Sequence, residues 1–224
     1  MSVQRRAHEV LEFWFGQRPY TFAQVEQRAR LWFGDPAHPE LQPQTDEAIA
    51  QRFGELAADA AAGRLTAWES SPRRRLALVL LLDQFPRNLH RGRPEAFAQD
   101  RAALSLTVSG MQLGAEAALD PLERVFFYMP LQHAESREIQ EESVAAFQRL
   151  TAEAPPELRP FFAEVLRHAW QHRAWIERFG RFPLRNAALG RPSTREEQQW
   201  LAAPEHDAWP PATTARRSGG DDPR

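Results

Sequence analysis

The 224-residue chain contains no cysteine and no lysine, so all 28 of its basic residues are arginine. Without cysteine there can be no disulfides, thiol nucleophiles, iron–sulfur clusters or cysteine-ligated zinc. Without lysine, Schiff-base chemistry, a pyridoxal-phosphate anchor and a P-loop are excluded. A basic excess is missing too, because the 28 arginines stand against 30 acidic residues for a formal charge of −2. That balance argues against a general nucleic-acid or membrane-surface binder. The longest apolar run, Leu76 to Leu82, is far too short to cross a bilayer. Met1 to Gln17 lacks the apolar stretch of a secretory signal, which predicts a cytoplasmic protein.

Other residue types are scarce. Isoleucine occurs only at Ile49, Ile139 and Ile176, tyrosine only at Tyr20 and Tyr128, and asparagine only at Asn88 and Asn186. These residues share AT-rich codons with lysine, which implies a GC-rich genome. Both asparagines stand in similar strings, Phe85-Pro86-Arg87-Asn88 and Phe182-Pro183-Leu184-Arg185-Asn186. Each string is followed by Gly-Arg-Pro, at Gly92 to Pro94 and Gly190 to Pro192.

What the chain does contain reads as helix. Ile49, Phe53, Leu56 and Ala60 recur at helical spacing, and Gly63 follows as a stop. Ser71-Pro72 opens a helix over Arg73 to Gln84, and Pro94 opens another carrying Phe97, Leu104 and Val108. Asp120-Pro121-Leu122-Glu123 is a capping box with a first-turn proline. Helices are predicted from Glu135 to Leu150, from Glu157 to Phe179, and from a Ser193/Glu196 cap to Leu201. No segment alternates with the period of a strand. The fold class is therefore all-α, a compact array of about eight or nine antiparallel helices. Residues 1–203 are expected to form one domain, and 204–224 a disordered tail rich in Pro, Gly, Ser, Asp and Arg. Trp14-Phe15-Gly16 and Trp32-Phe33-Gly34 are read as helix ends with glycine stops.

Chemistry-bearing residues gather in two places. Asp83 falls on the inward stripe of the apolar helix and needs a partner, Arg87 or Arg91, and Asp100 has the same need. His172 lies on the apolar stripe of the long C-terminal helix, with His168 one turn before it. Two histidines at i and i+4 can share a metal, but no third ligand stands at a diagnostic spacing, so no metal is assigned. His133-Ala134-Glu135 has the spacing of zinc deaminases, which the missing cysteines rule out. No motif points to a cofactor.

The strings Leu11 to Gly16, Leu82 to Asn88 with Arg91-Gly92, Phe97 with Asp100, and Tyr128 to Glu135 with Gln140 go together with those of the C-terminal region. There they continue as Arg178 to Asn186, Leu189-Gly-Arg191, Ser193 and Glu197. Over about Val10 to Leu201 the chain resembles the bacterial domain-of-unknown-function family 924. The resemblance implies a helical fold similar to tetratricopeptide-repeat proteins and carries no known reaction. The chain departs from the family's usual pattern at Leu184, where histidine is usual, and at Ala134, where serine is.

The sharpest reading is a polar pocket where the two Arg-Asn strings face each other. Asp83, Arg87, Asn88 and Arg91 would form one wall, Arg181, Arg185 and Asn186 another, and Tyr128, His133, Glu135 and His172 would complete it. Several arginines suit a small carboxylate or phosphate ligand. His133 or His172 would be the general base and Glu135 its partner, for hydrolysis or a lyase-type elimination. Against this stands a purely structural reading, in which the same residues cap and lock helix ends. A helical scaffold binding a peptide or protein is the alternative function. Nucleic acid and membrane are not expected partners, and the sequence leaves the oligomeric state open.

Overall fold

The computed structural model describes residues 3–203, all of whose regular structure is helical. The tail expected over 204–224 lies outside the described residues. In chain order the helices are α1 (Val3–Phe15), α2 (Phe22–Phe33), α3 (Leu41–Ala61), α4 (Pro72–Val79) and α5 (Phe85–Leu89). They continue with α6 (Asp100–Gln112), α7 (Pro121–Gln132), α8 (Arg137–Ala152), α9 (Arg159–Phe179) and α10 (Arg195–Leu201). Short 3-10 turns join several of them. Among the described residues no helix is long and apolar enough to cross a membrane.

The apolar helix is the axis of the molecule. Leu76, Ala77, Val79, Leu80 and Leu81 are wholly inaccessible, enclosed by α1, α3, α6 and α7. Burying each large aliphatic side chain contributes about 1.5–3 kcal/mol. Trp14, Phe15 and Trp32 close around Phe85 and Phe126 through tilted and edge-on ring contacts. The two Trp-Phe-Gly strings end their helices as expected, and Trp32 Nε1 donates to the Trp14 carbonyl at 3.0 Å.

Several boundaries differ from the sequence reading. The axis does not end at Gln84 but passes through a π turn, Leu80–Gln84, into α5. Phe85 N–H bonds the carbonyl of Leu80, five residues back. Pro86 has no N–H and would press on a preceding carbonyl in a regular helix; the wider turn absorbs it. Pro94 opens a 3-10 turn, and the α-helix beyond starts at Asp100. The last helix is capped by Thr194 with Glu197, not by Ser193 with Glu196. Ser136 caps α8, so Glu135 stands in the α7–α8 loop. The Asp120/Glu123 capping box forms as expected.

The C-terminal half is laid on α7. α8 and α9 run antiparallel, with Arg173 Nε on Glu141 Oε1 at 2.7 Å and Arg137 Nη2 on the Glu177 carbonyl at 3.1 Å. Gln140 of α8 donates its amide to the carbonyls of Leu131, Gln132 and Ala134. That fixes the end of α7, where His133 is the C-cap residue.

Candidate functional site

The π turn and the end of α7 bring Asp83 and His133 together. Asp83 is fully buried, and its Oδ1 lies 2.7 Å from His133 Nδ1. Its Oδ2 accepts from the Gln84 side chain, and Arg87 Nη1 stands 3.5 Å from Oδ1. Burial opposes the charge of Asp83, but His133, Arg87 and the bonds it accepts outweigh burial and hold the carboxyl well below the usual carboxylate range. Burial pushes His133 down, helped by the Arg87 charge and opposed by Asp83. The ring is therefore neutral near neutral pH, with its proton on Nδ1 toward the carboxylate.

His172 lies beside it, the two ring centroids 6.3 Å apart. Its Nδ1 is 2.8 Å from the His168 carbonyl one turn back; a carbonyl only accepts, so this ring also carries its proton on Nδ1. Burial, reinforced by His133, pushes His172 down to about 3. Trp175 and Phe182 pack against the ring at 5.2 Å and 5.3 Å. His168 is turned elsewhere, toward Glu164 and Gln171. Among the described residues no group of three or more His, Asp or Glu could hold a metal ion.

Two arginines border the histidines. Arg87 grips Asp100 with both terminal nitrogens, at 2.9 Å and 3.0 Å. Arg185 reaches the same carboxylate at 3.0 Å and donates to the His133 carbonyl at 3.0 Å. Its guanidinium lies over Phe97 at 4.8 Å and Phe182 at 4.5 Å, so two rings hold its plane. Asp100 opens α6, where the helix dipole favours a carboxylate. None of these groups is sealed off. The side chains of His133, Arg185 and Arg87 remain 14%, 13% and 20% exposed.

The other residues expected at this pocket are engaged elsewhere. Asn88 and Arg91 both bind Asp46 of α3, at 2.8 Å for the amide and 2.9–3.0 Å for the guanidinium. With Asp46 they line a separate cavity of about 490 Å³. Arg91 is therefore not the partner of Asp83. Arg181 forms two 2.7 Å bonds with Glu197, and the buried Asn186 bonds Ser193 and Glu197. Glu135 accepts from Phe182 N–H at 2.8 Å and from Arg191 at 2.7 and 3.0 Å, so it holds a loop and does not touch either histidine. Tyr128 packs on Phe147, with Glu116, Arg124, Arg149 and Glu153 as its charged neighbours. Sequence reasoning missed Asp46, which no pattern on α3 distinguishes. It also missed Trp175, whose position three residues after His172 could have flagged it.

The bacterial protein family of unknown function DUF924 matches residues 10–205. The chain belongs to this family. A solved structure of a protein of unknown function from Agrobacterium tumefaciens is 33% identical, over 90% of this chain and 99% of that one, with a TM-score of 0.68. No curated protein matches. Membership in DUF924 accounts for the fold and leaves the chemistry to be argued from the side chains.

Proposed function

We propose that this DUF924 member is a cytoplasmic protein that binds a small anionic metabolite beside His133 and His172, with His133 as general base of a hydrolysis or an elimination. The 2.7 Å contact of His133 Nδ1 with the buried Asp83 carries this reading. A carboxylate on one ring nitrogen fixes the tautomer and stabilises the imidazolium that forms when the other nitrogen takes a proton. General-base catalysis of this kind contributes about 10²–10⁴-fold to a rate. In hydrolysis Nε2 would take the proton of an attacking water. In elimination it would take one from substrate carbon, the C–H electrons forming a double bond as the C–O bond on the neighbouring carbon breaks and its oxygen departs as hydroxide or phosphate. His172 would stand as a second neutral base.

Arg185 supports the ligand class. It spends two bonds, on Asp100 and on the His133 carbonyl, out of about five donors on a guanidinium. Asp83 and Asp100 balance the charges of Arg87 and Arg185, so an anion would be held by directed N–H donors and not by a net positive field.

The test is turnover of small phosphate and carboxylate esters and of hydroxy acids by wild type and His133→Ala. Turnover reduced at least about 100-fold in a folded variant is expected. Equal turnover in the two proteins would overturn the base assignment. One observation favours the structural reading for part of the set: Glu197 takes Arg181, Asn186 and the Thr194 N–H. Asn186→Ala should accordingly cost about 1–3 kcal/mol in urea unfolding while leaving ligand binding unchanged.

A further inference from the structure

The two histidines show a ligand the same chemical face. His133 commits Nδ1 to Asp83 at 2.7 Å, and His172 commits Nδ1 to the His168 carbonyl at 2.8 Å. Both partners can only accept, so both ring protons are spent inward. Neither Nε2 bonds another group among the described residues. Two acceptor nitrogens are thus left, on rings 6.3 Å apart, while the donor-only guanidinium of Arg185 holds the His133 carbonyl and shares the Phe182 ring with His172. Phe182 and Trp175 pack against the His172 ring, and neither is hydrogen-bonded to its Nε2.

This arrangement distinguishes between oxyanions. Any oxyanion satisfies Arg185. One without a hydrogen of its own sets its lone pairs against those of the imidazoles, and an unmet acceptor pair in a partly dry site is unfavourable. An oxyanion with a P–OH or C–OH group donates that hydrogen to Nε2 while its other oxygens accept from the guanidinium. Resting on the site proposed above, we infer that its ligand is an oxyanion bearing its own hydroxyl, of the hydrogen-phosphate or hydroxy-acid class, and that His133 and His172 together reject oxyanions without one. Rejection by mismatched polar groups is a general route to specificity.

Two pairs of probes that differ by a hydroxyl hydrogen or a hydroxyl group test this on the intact protein near neutral pH: inorganic phosphate against sulfate, and glycolate against acetate. Affinity is read by calorimetry, and site occupancy by the imidazole nitrogen resonances of His133 and His172. The expected result is at least about tenfold tighter binding of the hydroxyl-bearing member in a pair that binds, with both imidazoles responding. His172→Gln, whose amide can donate, should raise sulfate affinity toward that of phosphate. Should that variant not fold, the wild-type pairs decide alone. Equal affinity within each pair that binds would overturn the inference and leave the anion site standing. No imidazole response to any of the four probes would overturn the site itself.

Discussion

Arg87 and Arg185 meet on a single oxygen atom: Asp100 Oδ2 accepts from Arg87 Nη2 and from Arg185 Nη1, each at 3.0 Å. Both guanidiniums also lie over the ring of Phe97, at 5.6 Å and 4.8 Å. Like charges can share so small a space because the carboxylate sits between them and a π face lies beside both. The two Phe-Pro-Arg-Asn strings are thus joined through their arginines, while their asparagines diverge, Asn88 to Asp46 and Asn186 to Glu197.

Removing the shared charge tests this junction. Asp100→Asn keeps the shape and removes the charge that the two guanidiniums share, leaving Arg87 with Asp83 alone. A loss of about 1.5–3 kcal/mol is expected in urea denaturation, the usual worth of hydrogen bonds to charged groups. In a double-mutant cycle with Arg185→Ala the two losses should fall short of adding. Additive losses would show that Arg185 and Asp100 are not energetically coupled.

Two glycines in helices should respond in opposite directions to alanine. At Gly110 of α6 a Cβ would lie 2.7 Å from Phe127 Cζ and 2.9 Å from Arg75 Cδ. Phe127 is fully buried, and Arg75 is tied to the carbonyls of Glu69 and Leu106 and to Ser109 Oγ, so neither can yield. Overpacking of about 1–3 kcal/mol outweighs the helical gain of roughly 0.5–1 kcal/mol. At Gly54 of α3 nothing lies within 4 Å of the added carbon, so only the gain remains. Thermal melts should show Gly110→Ala lower and Gly54→Ala higher than wild type.

His172 makes stability depend on mild acid. Its folded value of about 3 lies below the unfolded value of about 6.5, so in between the unfolded chain binds a proton that the folded one refuses. Stability therefore rises with pH through that window and declines as acid takes the protein below about pH 6.5. At about 1.4 kcal/mol per pH unit per proton, the decline between about pH 6.5 and pH 5 should be about 1–2 kcal/mol. His133, His168 and Arg185 are the charged or titratable neighbours that act on it. His172→Gln should flatten the slope measured by urea denaturation; an unchanged slope would remove His172 from the account. Asp83 adds a second decline lower down. Its depressed value contributes stability that is present above about pH 3.9 and lost as pH falls further.

Local signals made most of the fold legible. Asp120 with Glu123 capped a helix in the sequence and does so in the structure, because a capping box is complete within four consecutive residues. The unbroken apolar run at Leu76 to Leu82 announced a central helix, and its burial is total or nearly so. Legibility failed where partners lie far apart in the chain. The sequence showed that Asp83 needed a cation but not that His133, from the end of α7, would reach it ahead of Arg91. Nor could it show that Glu135 would be drawn off by Arg191, since both residues sit in loops whose course depends on α8 and α9. The sequence places the end of the apolar helix at Gln84, where a local pattern cannot show that the turn before Pro86 widens and the helix goes on.

That widened turn also sets the angular phase of everything after it. Between the carbonyl of Leu80 and the N–H of Phe85 the chain carries one residue more than an α turn would hold. Successive residues in an α-helix are about 100° apart, so the surplus offsets the second half of the axis from the first. Leu76 to Leu81 can therefore be buried on every side while Arg87, in the same continuous rod, is turned to meet Asp100. Deleting a single leucine from Leu80 to Leu82 would do more than shorten the core. The turn would close to an α turn that keeps Arg87 and Asn88 near their present phase but sets the Pro86 ring against a preceding carbonyl.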